Sequence, residues 1–163
     1  MTKRPEKTLY RPNLYLLGFM GTGKSSVGRK VAARLKLKFL DSDAEIEKSA
    51  GMQINDIFAK YGEEKFRQME RDFMESGHPE SGCVISCGGG LCCREGMPEL
   101  VRVENPLSRI RELLKARTPY YMKSGIAIAA DKNIKDTVEH VERIYRTQSR
   151  RFRRENDIAS KLK

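Results

Sequence analysis

Residues 18–25 read Gly-Phe-Met-Gly-Thr-Gly-Lys-Ser, which fills every fixed position of the phosphate-binding pattern G-x-x-x-x-G-K-S. An apolar run, Leu14 to Leu17, precedes this stretch, and a segment with apolar residues at helical spacing, 25–35, follows it. This order matters because a loop between a strand and a helix directs backbone N–H groups and the positive helix end at one anion. An ordinary glycine turn is the alternative, which we reject because all fixed positions and both flanks agree. The stretch therefore predicts a loop that binds a nucleoside triphosphate.

The composition indicates one domain with a nearly neutral body and basic ends. A chain of 163 residues suits a single domain, and its formal net charge is +10. Residues 1–12 carry four Lys/Arg against one Glu, and residues 143–163 carry eight against two acids. Such an end can contact nucleic acid, but a solvated helix end is the commoner explanation. We expect neither a nucleic-acid nor a membrane partner.

The four cysteines lie close together at positions 83, 87, 92 and 93. Their spacing does not match that of paired zinc ligands, so we expect reduced thiols. The apolar run after the basic N-terminus is too short for a signal peptide and leads directly into the phosphate loop. The sequence therefore predicts a cytoplasmic protein, and we expect a monomer.

Predicted strands alternate with predicted helices. The strands are 14–17, 38–41, 83–87 and 126–130; the helices are 26–35, 46–50, 54–61, 63–76, 106–117 (ending before Pro119) and 134–145. This alternation predicts an α/β fold, a three-layer αβα sandwich with a central parallel sheet, like that of P-loop nucleoside triphosphate hydrolases. Ligands of such sheets bind at the carboxyl ends of the strands. The phosphate loop, Asp41-Ser42-Asp43 and Gly88-Gly89-Gly90 each follow a predicted strand, so we expect them to share one cleft.

Each candidate polar residue has a purely structural alternative. Two carboxylates at i and i+2 let one serve a metal while the other faces a hydroxyl, but Asp41 or Ser42 could instead cap a helix in a box with Glu45. Arg67 and Arg117 suit bidentate recognition of a carboxylate. Arg117 could instead cap the end of its helix, and Arg67 could pair at helical spacing with the nearby glutamates Glu63, Glu64 and Glu70. Three successive glycines after a buried strand favour close backbone approach to a ligand over an ordinary loop.

Taken together, the motifs resemble those of shikimate kinases. They comprise residues 18–29, Phe39-Leu40-Asp41-Ser42-Asp43, Phe66-Arg67-x-x-Glu70, Ser86-Cys87-Gly88-Gly89-Gly90 and Arg117-x-Pro119-Tyr120-Tyr121. The resemblance extends from about Leu14 to Tyr145 and is specific in combination. It implies transfer of the ATP γ-phosphoryl group to the 3-hydroxyl of shikimate, a step of chorismate and aromatic amino acid biosynthesis.

The resemblance also implies a role for each matching residue. Lys24 would stabilise the transferring group, and Asp43 would bind the accepting hydroxyl and help take its proton. Ser25 and, through a water, Asp41 would hold Mg²⁺. Arg67 and Arg117 would clamp the shikimate carboxylate beside the backbone of Gly88, Gly89 and Gly90. The implied ATP-binding residues are Gly21, Thr22, Gly23, Lys24, Ser25 and Ser26, with Lys132 and Asn133 near the adenine.

The sequence departs from the family after the glycine triplet. The family has a further strand–helix unit there, with a strand beside the phosphate-loop strand and a mobile lid whose arginine contacts ATP. Here residues 97–101 run almost directly into Val103, so about thirty residues are absent, enough for one crossover connection. We expect residues 13–147 to form the kinase-like domain, between basic extensions at 1–12 and 148–163.

The departure leaves two explanations open. A segment between Leu100 and Val103 could be missing from the sequence, in which case the Cα spacing there would exceed the normal value of about 3.8 Å. If the deletion is genuine, we expect nucleotide binding with impaired turnover, because water is not excluded. The rival functions are a related small-molecule kinase such as a gluconate kinase, a non-catalytic nucleotide-binding protein, and nucleic-acid binding through the C-terminal arginines.

Overall fold

A computed structural model describes residues 11–91, 106–129 and 133–161. The elements along the chain are β1 (Leu14–Leu16), α1 (Lys24–Leu35), β2 (Lys38–Asp41), α2 (Ser42–Ala50), α3 (Ile54–Ser76), β3 (Cys83–Ser86), α4 (Pro106–Lys123) and α5 (Ile134–Lys161). The three strands form one parallel sheet in the order β1-β3-β2. The predicted α/β fold with a central parallel sheet is therefore confirmed.

Strand β3 lies in the centre of the sheet, and all four of its residues are buried. A strand covered on both faces is expected to be a continuous apolar run, as Cys83-Val84-Ile85 is. One face packs against α2 and α3 through a core that includes Ile57 and Phe66. The other face packs against α1 and α5 through a second core that includes Val31 and Val138. Two apolar layers thus hold the sheet between helices.

The strand register brings three chain positions to the same level at the carboxyl edge of the sheet. Leu16 of β1 pairs with Ser86 of β3, and Asp41 of β2 pairs with Ser86 from the other side. The chain leaves β1 into the phosphate loop, β2 into α2, and β3 into the glycine triplet. Parallel strands end at one edge, so these three exits lie side by side. The predicted convergence of the strand ends is confirmed.

One predicted helix end is confirmed and one is wrong. Gly62 interrupts α3, with φ 77° and ψ 175°, as the prediction of a helix end at this glycine requires. The expectation that the next helix ends before Pro119 is wrong, because α4 continues through Pro119 to Lys123. Proline removes one backbone hydrogen bond, but its fixed φ is itself helical. Packing of the buried Arg117 and the half-buried Tyr121 anchors the helix on either side of it.

The predicted strand at 126–130 is also wrong for the part that is described. Residues 126–129 have no strand conformation, Ile126 is 59% exposed, and Ala130 lies outside the described residues. A strand requires a neighbour to complete its hydrogen bonds, and within the described ranges no strand pairs with this segment. The apolar pattern of this segment therefore indicated burial and not a strand. Ile128 is partly buried, where it packs against the second core.

Helix α5 is much longer than the predicted 134–145, since it runs to Lys161. The arginines of the basic C-terminal end therefore continue the last helix, and Ser149 is buried within it. An exposed ion-pair network connects this helix to α1, in which Glu142 contacts Arg34 and Arg146. Among the helices that are described, none is long and apolar enough to cross a membrane.

Candidate functional site

The phosphate loop curls around the amine of its own lysine. Lys24 Nζ donates to the carbonyl oxygens of Gly18 and Phe19, at 2.9 Å each. Gly23, the residue before α1, has φ 84° and ψ 14°, a left-handed conformation that a glycine adopts without strain. Thr22 Oγ1 donates to Phe19 O at 2.8 Å and closes the turn. The positive end of α1 and the Lys24 ammonium thus face the same space, which suits an anion.

Three side-chain oxygens meet beside this loop. Ser25 Oγ donates to Asp41 Oδ2 at 2.7 Å and lies 3.0 Å from Ser86 Oγ. They come from α1, β2 and β3, and the strand register places Ser86 beside Asp41. Carboxylate and hydroxyl oxygens are hard donors of the kind that Mg²⁺ prefers. Sequence reasoning assigned no role to Ser86, although its place at the end of a buried strand was the available signal.

Asp43 lies in the first turn of α2 and faces the glycine triplet. A Cβ atom at Gly88 would come within 2.6 Å of Asp43 Oδ1, so only glycine leaves room for the carboxylate there. Burial chiefly raises the pKa of Asp43, and the Asp41 charge raises it further, against a hydrogen bond from Ser42 and the charge of Lys24. A carboxyl group with a raised pKa is a stronger proton acceptor than an ordinary aspartate. The charge of Lys24 acts on this carboxyl group, so Asp43 lies near the phosphate loop as well as the triplet.

Arg67 faces the other end of the glycine triplet. Its Nη2 donates to Glu63 Oε1 at 3.0 Å and its Nη1 to Glu70 Oε2 at 2.5 Å. The alternative that Arg67 pairs with nearby glutamates is therefore correct for Glu63 and Glu70. The guanidinium also points at Gly90, where a Cβ atom would lie 2.8 Å from Nη1. The two glutamates orient Arg67 towards the triplet. The arginine is consequently held against the glycine triplet rather than exposed on the surface.

Glu70, which the sequence indicated only as a possible ion-pair partner of Arg67, is a buried carboxylate. It is 2% exposed, and burial raises its pKa while the hydrogen bond and charge of Arg67 lower it. A Cβ at Gly88 would lie 3.0 Å from Glu70 Oε1, so Glu70 contacts the same glycine as Asp43. Its i+3 spacing predicted the pairing with Arg67 but not its burial beside the glycine triplet.

The glycine triplet is held by the elements around it. Gly88 N–H donates to Ser42 Oγ at 2.9 Å, and Tyr121 Oη donates to Gly89 O at 2.6 Å. Of the two residues proposed as a helix cap, Asp41 holds the N-cap position but makes no side-chain cap hydrogen bond, and Ser42 is already the first residue of α2. The hydroxyl of this fully buried serine contacts Gly88, just after β3, instead.

Arg117 and Asn133 occupy different surroundings. Arg117 is 1% exposed, and its guanidinium carbon lies 6.0 Å from the centroid of the Phe19 ring, beside the phosphate loop. Because α4 runs six residues further, Arg117 does not cap the end of its helix. Asn133 Oδ1 accepts the N–H of Lys135 at the start of α5. Lys132 lies outside the described residues, as do all positions between Leu100 and Val103.

Curated relatives are similar over most of their length. The chain is 39% identical over 145 residues to a shikimate kinase of Thermodesulfovibrio yellowstonii, covering 71% of this chain and 84% of the relative. It is 37% identical over 163 residues to a shikimate kinase of Caldanaerobacter subterraneus, covering 82% of this chain and 95% of the relative. The alignment with this relative is 163 positions long, but only 82% of this 163-residue chain lies within it. The relative therefore has residues inside the aligned region that this chain lacks.

Family and structural comparisons give the same result. A family model described as shikimate kinase matches residues 20–107, more than half of the chain. The structure of a shikimate kinase from Acinetobacter baumannii in complex with shikimate matches with a TM-score of 0.68 at 30% identity, covering 85% of this chain and 94% of that one. A shikimate kinase from Bacteroides thetaiotaomicron shares the fold, with a TM-score of 0.71 at 24% identity. The chain is therefore an enzyme of the shikimate kinase family, whose members use ATP.

Proposed function

We propose that this chain transfers the γ-phosphoryl group of ATP to the 3-hydroxyl of shikimate, giving shikimate 3-phosphate and ADP. One observation carries this assignment: Asp43 lies against Gly88 and Arg67 against Gly90, on a glycine triplet that borders the phosphate loop at Met20. A small acid lying along this backbone would place a hydroxyl at the carboxylate and its own carboxylate at the arginine. The shikimate found in the related Acinetobacter baumannii structure has both groups.

In this proposal Asp43 binds the accepting hydroxyl and takes its proton as the phosphoryl group moves. Its raised pKa, caused first by burial and then by Asp41, strengthens it as a proton acceptor. Lys24 stabilises the negative charge on the transferring group. Its charge also acts on Asp43, so the two side chains lie in the same electrostatic environment. Phosphoryl transfer requires alignment and charge neutralisation more than covalent participation of the protein. In this proposal Asp43 supplies the alignment and Lys24 the charge neutralisation.

The carboxylate of the acceptor is assigned to Arg67 and Arg117. Arg67 already donates to Glu63 and Glu70, which fix its plane, and its Nη atoms face Gly90. Arg117 is buried beside Phe19, where a guanidinium is shielded from water and its hydrogen bonds to a carboxylate are strengthened. Two planar guanidinium groups would distinguish a carboxylate from a neutral sugar, since each can donate two parallel hydrogen bonds.

Mg²⁺ is assigned to Ser25 directly and to Asp41 through a water. The 2.7 Å contact between Ser25 Oγ and Asp41 Oδ2 supports this, since two oxygen donors already meet beside the loop. When bound, the ion would neutralise charge on the ATP phosphates. ATP contacts are assigned to Gly21, Thr22, Gly23, Lys24, Ser25 and Ser26, with Lys132 and Asn133 near the adenine.

The residues that relatives have in addition are assigned to the junction between Leu100 and Val103. An open cleft of about 790 Å³ supports this assignment, since it runs along β1 beside the 126–128 segment and α5 and extends to Gly18, Thr22 and Lys24 of the phosphate loop. Strands in a sheet are normally packed against neighbours, so the part of the cleft beside β1 is where a missing strand would fit. Without a lid over ATP we expect slow turnover, which makes nucleotide binding with little catalysis the second candidate function.

The remaining assignments concern the protein's setting. We assign the protein to the cytoplasm, which is supported by the burial of Cys83 and Cys87 in the core, where thiols act as small apolar side chains. We assign the kinase-like domain to residues 13–147, with basic extensions at 1–12 and 148–163, and a monomeric state. Size measurement by light scattering tests the last point directly.

The deciding experiment is an ADP-release assay with and without shikimate, with gluconate as the alternative acceptor. We expect release that depends on shikimate and on Mg²⁺. Release with gluconate alone would assign the chain to another substrate, and ATP binding without release would support the second candidate function. Inserting a relative's segment between Leu100 and Val103 should raise the rate if the missing residues belong there.

A further inference from the structure

The side chain of Tyr121 joins helix α4 to the glycine triplet. Tyr121 Oη donates to Gly89 O at 2.6 Å, although the two residues lie 32 positions apart. Gly89 is itself tightly enclosed, because a Cβ there would lie 3.1 Å from the backbone nitrogen of Met20 in the phosphate loop. The Gly89 peptide is therefore held between the phosphate loop on one side and α4 on the other.

The same face of α4 carries Arg117. The two residues are four apart, so their side chains lie one above the other on the helix. Arg117 lies over the Phe19 ring and Tyr121 reaches Gly89, so α4 contacts the phosphate loop and the triplet at two levels. Gly90, next in the chain, lies against Arg67 of α3. The position of the Gly89 peptide thus sets how the two arginines, which come from separate helices, stand relative to each other.

Pro119 makes this connection more important. It stands between Arg117 and Tyr121 inside α4 and removes the backbone hydrogen bond that would brace this turn of the helix. A tyrosine side chain has few rotatable bonds, so its hydroxyl fixes the distance from helix to carbonyl closely. The hydroxyl therefore supplies, from outside the helix, part of the restraint that the proline removes.

We propose that Tyr121 is a positioning residue: by holding the Gly89 carbonyl, it keeps Arg117 and Arg67 at the spacing that binds the carboxylate of the acceptor. This inference rests on the proposed function and adds to it a residue that contacts neither ATP nor the acceptor. Tyr120 is the matched control, since it is the adjacent tyrosine and is 38% exposed.

The test is calorimetric titration of the full chain with shikimate and, separately, with a non-hydrolysable ATP analogue. For Tyr121→Phe we expect shikimate binding to weaken about three- to tenfold, the usual effect of losing one hydrogen bond, with the nucleotide affinity unchanged. Tyr120→Phe should bind both ligands as the parent does. If the parent chain itself binds no shikimate, the proposed function fails and this inference fails with it.

A second measurement separates positioning from a merely structural role. Hydrogen exchange of the peptide that contains residues 88–90 should be faster in Tyr121→Phe and unchanged in Tyr120→Phe, because the Gly89 peptide has lost its connection to α4. If Tyr121→Phe lowers the melting temperature but leaves the shikimate affinity and this exchange unchanged, the hydroxyl only stabilises the fold and the inference is overturned.

Discussion

The Ser42 hydroxyl accepts a hydrogen bond from the Gly88 backbone N–H at 2.9 Å, across 46 positions of the chain. Ser42 is fully buried and begins α2, while Gly88 follows β3. The bond fixes the start of α2 against the glycine triplet, and with it Asp43, the next residue. Asp43, which is proposed to take the proton, and the proposed shikimate site are thus held together by a side chain that takes no part in the chemistry.

Replacing Ser42 by alanine should therefore destabilise the protein. The half-buried Gly88 N–H would lose its present partner, which costs about 1 kcal/mol. The loss would appear as a lower midpoint in urea unfolding. Ser49→Ala in the same helix is the control, because Ser49 is exposed and surface changes stay within about 0.5 kcal/mol. Equal midpoints for the two variants would show that the Ser42 contact contributes nothing.

Asp43→Asn should abolish ADP release, spare ATP binding and stabilise the fold at neutral pH. The pKa of Asp43 is raised in the folded protein, so the folded state favours the protonated form, and the native carboxylate loses stability as pH rises through that pKa. A neutral amide avoids this loss. The gain in melting temperature should shrink below the ordinary aspartate pKa, where both variants are neutral. Asp56→Asn, at an exposed position, should show no such gain.

The same raised pKa should appear in the pH profile of the parent chain. The acid limb of the shikimate-dependent rate should fall as Asp43 is protonated, at a pH above that of an ordinary aspartate. A rate that remains constant down to the ordinary aspartate range would remove Asp43 from the role of proton acceptor.

Arg67→Ala should weaken shikimate binding and destabilise the protein at neutral pH. Glu70 would remain buried without its partner, and removing one member of a buried pair costs about 3–5 kcal/mol. Adding Glu70→Gln should restore much of the stability but none of the shikimate affinity. Arg71→Ala, at an exposed position, is the control. If the double variant regained shikimate binding as well, Arg67 would act through the fold alone.

Gly90→Ala tests the close approach of the triplet to Arg67. The new methyl group would lie 2.8 Å from Nη1, so the guanidinium must shift away from its position facing the acceptor site. We expect a higher KM for shikimate, an unchanged KM for ATP, and a folded protein, since the displaced atoms end a flexible side chain. Gly125→Ala meets nothing within 4 Å and should change neither constant. An unchanged KM for shikimate in Gly90→Ala would show that the acceptor does not use this face.

Patterns local to the chain gave correct predictions where a few neighbouring residues decide the conformation. The interruption at Gly62 and the strand-to-helix loop at 18–25 are of this kind. The errors occurred where distant residues decide. Pro119 remains helical because its neighbours pack against the site. Ser42 accepts a hydrogen bond from the distant Gly88 instead of capping its helix, and none of the described strands pairs with residues 126–129.

The sequence by itself determined the phosphate loop and the order of strands and helices, because glycine content and apolar spacing act within a few residues of each other. Only the tertiary structure placed β3 between β1 and β2 and aligned Ser86 with Asp41. It alone also buried Glu70 and directed Tyr121 at Gly89. These features depend on residues that are distant in sequence, and they form only when both cores pack on one sheet.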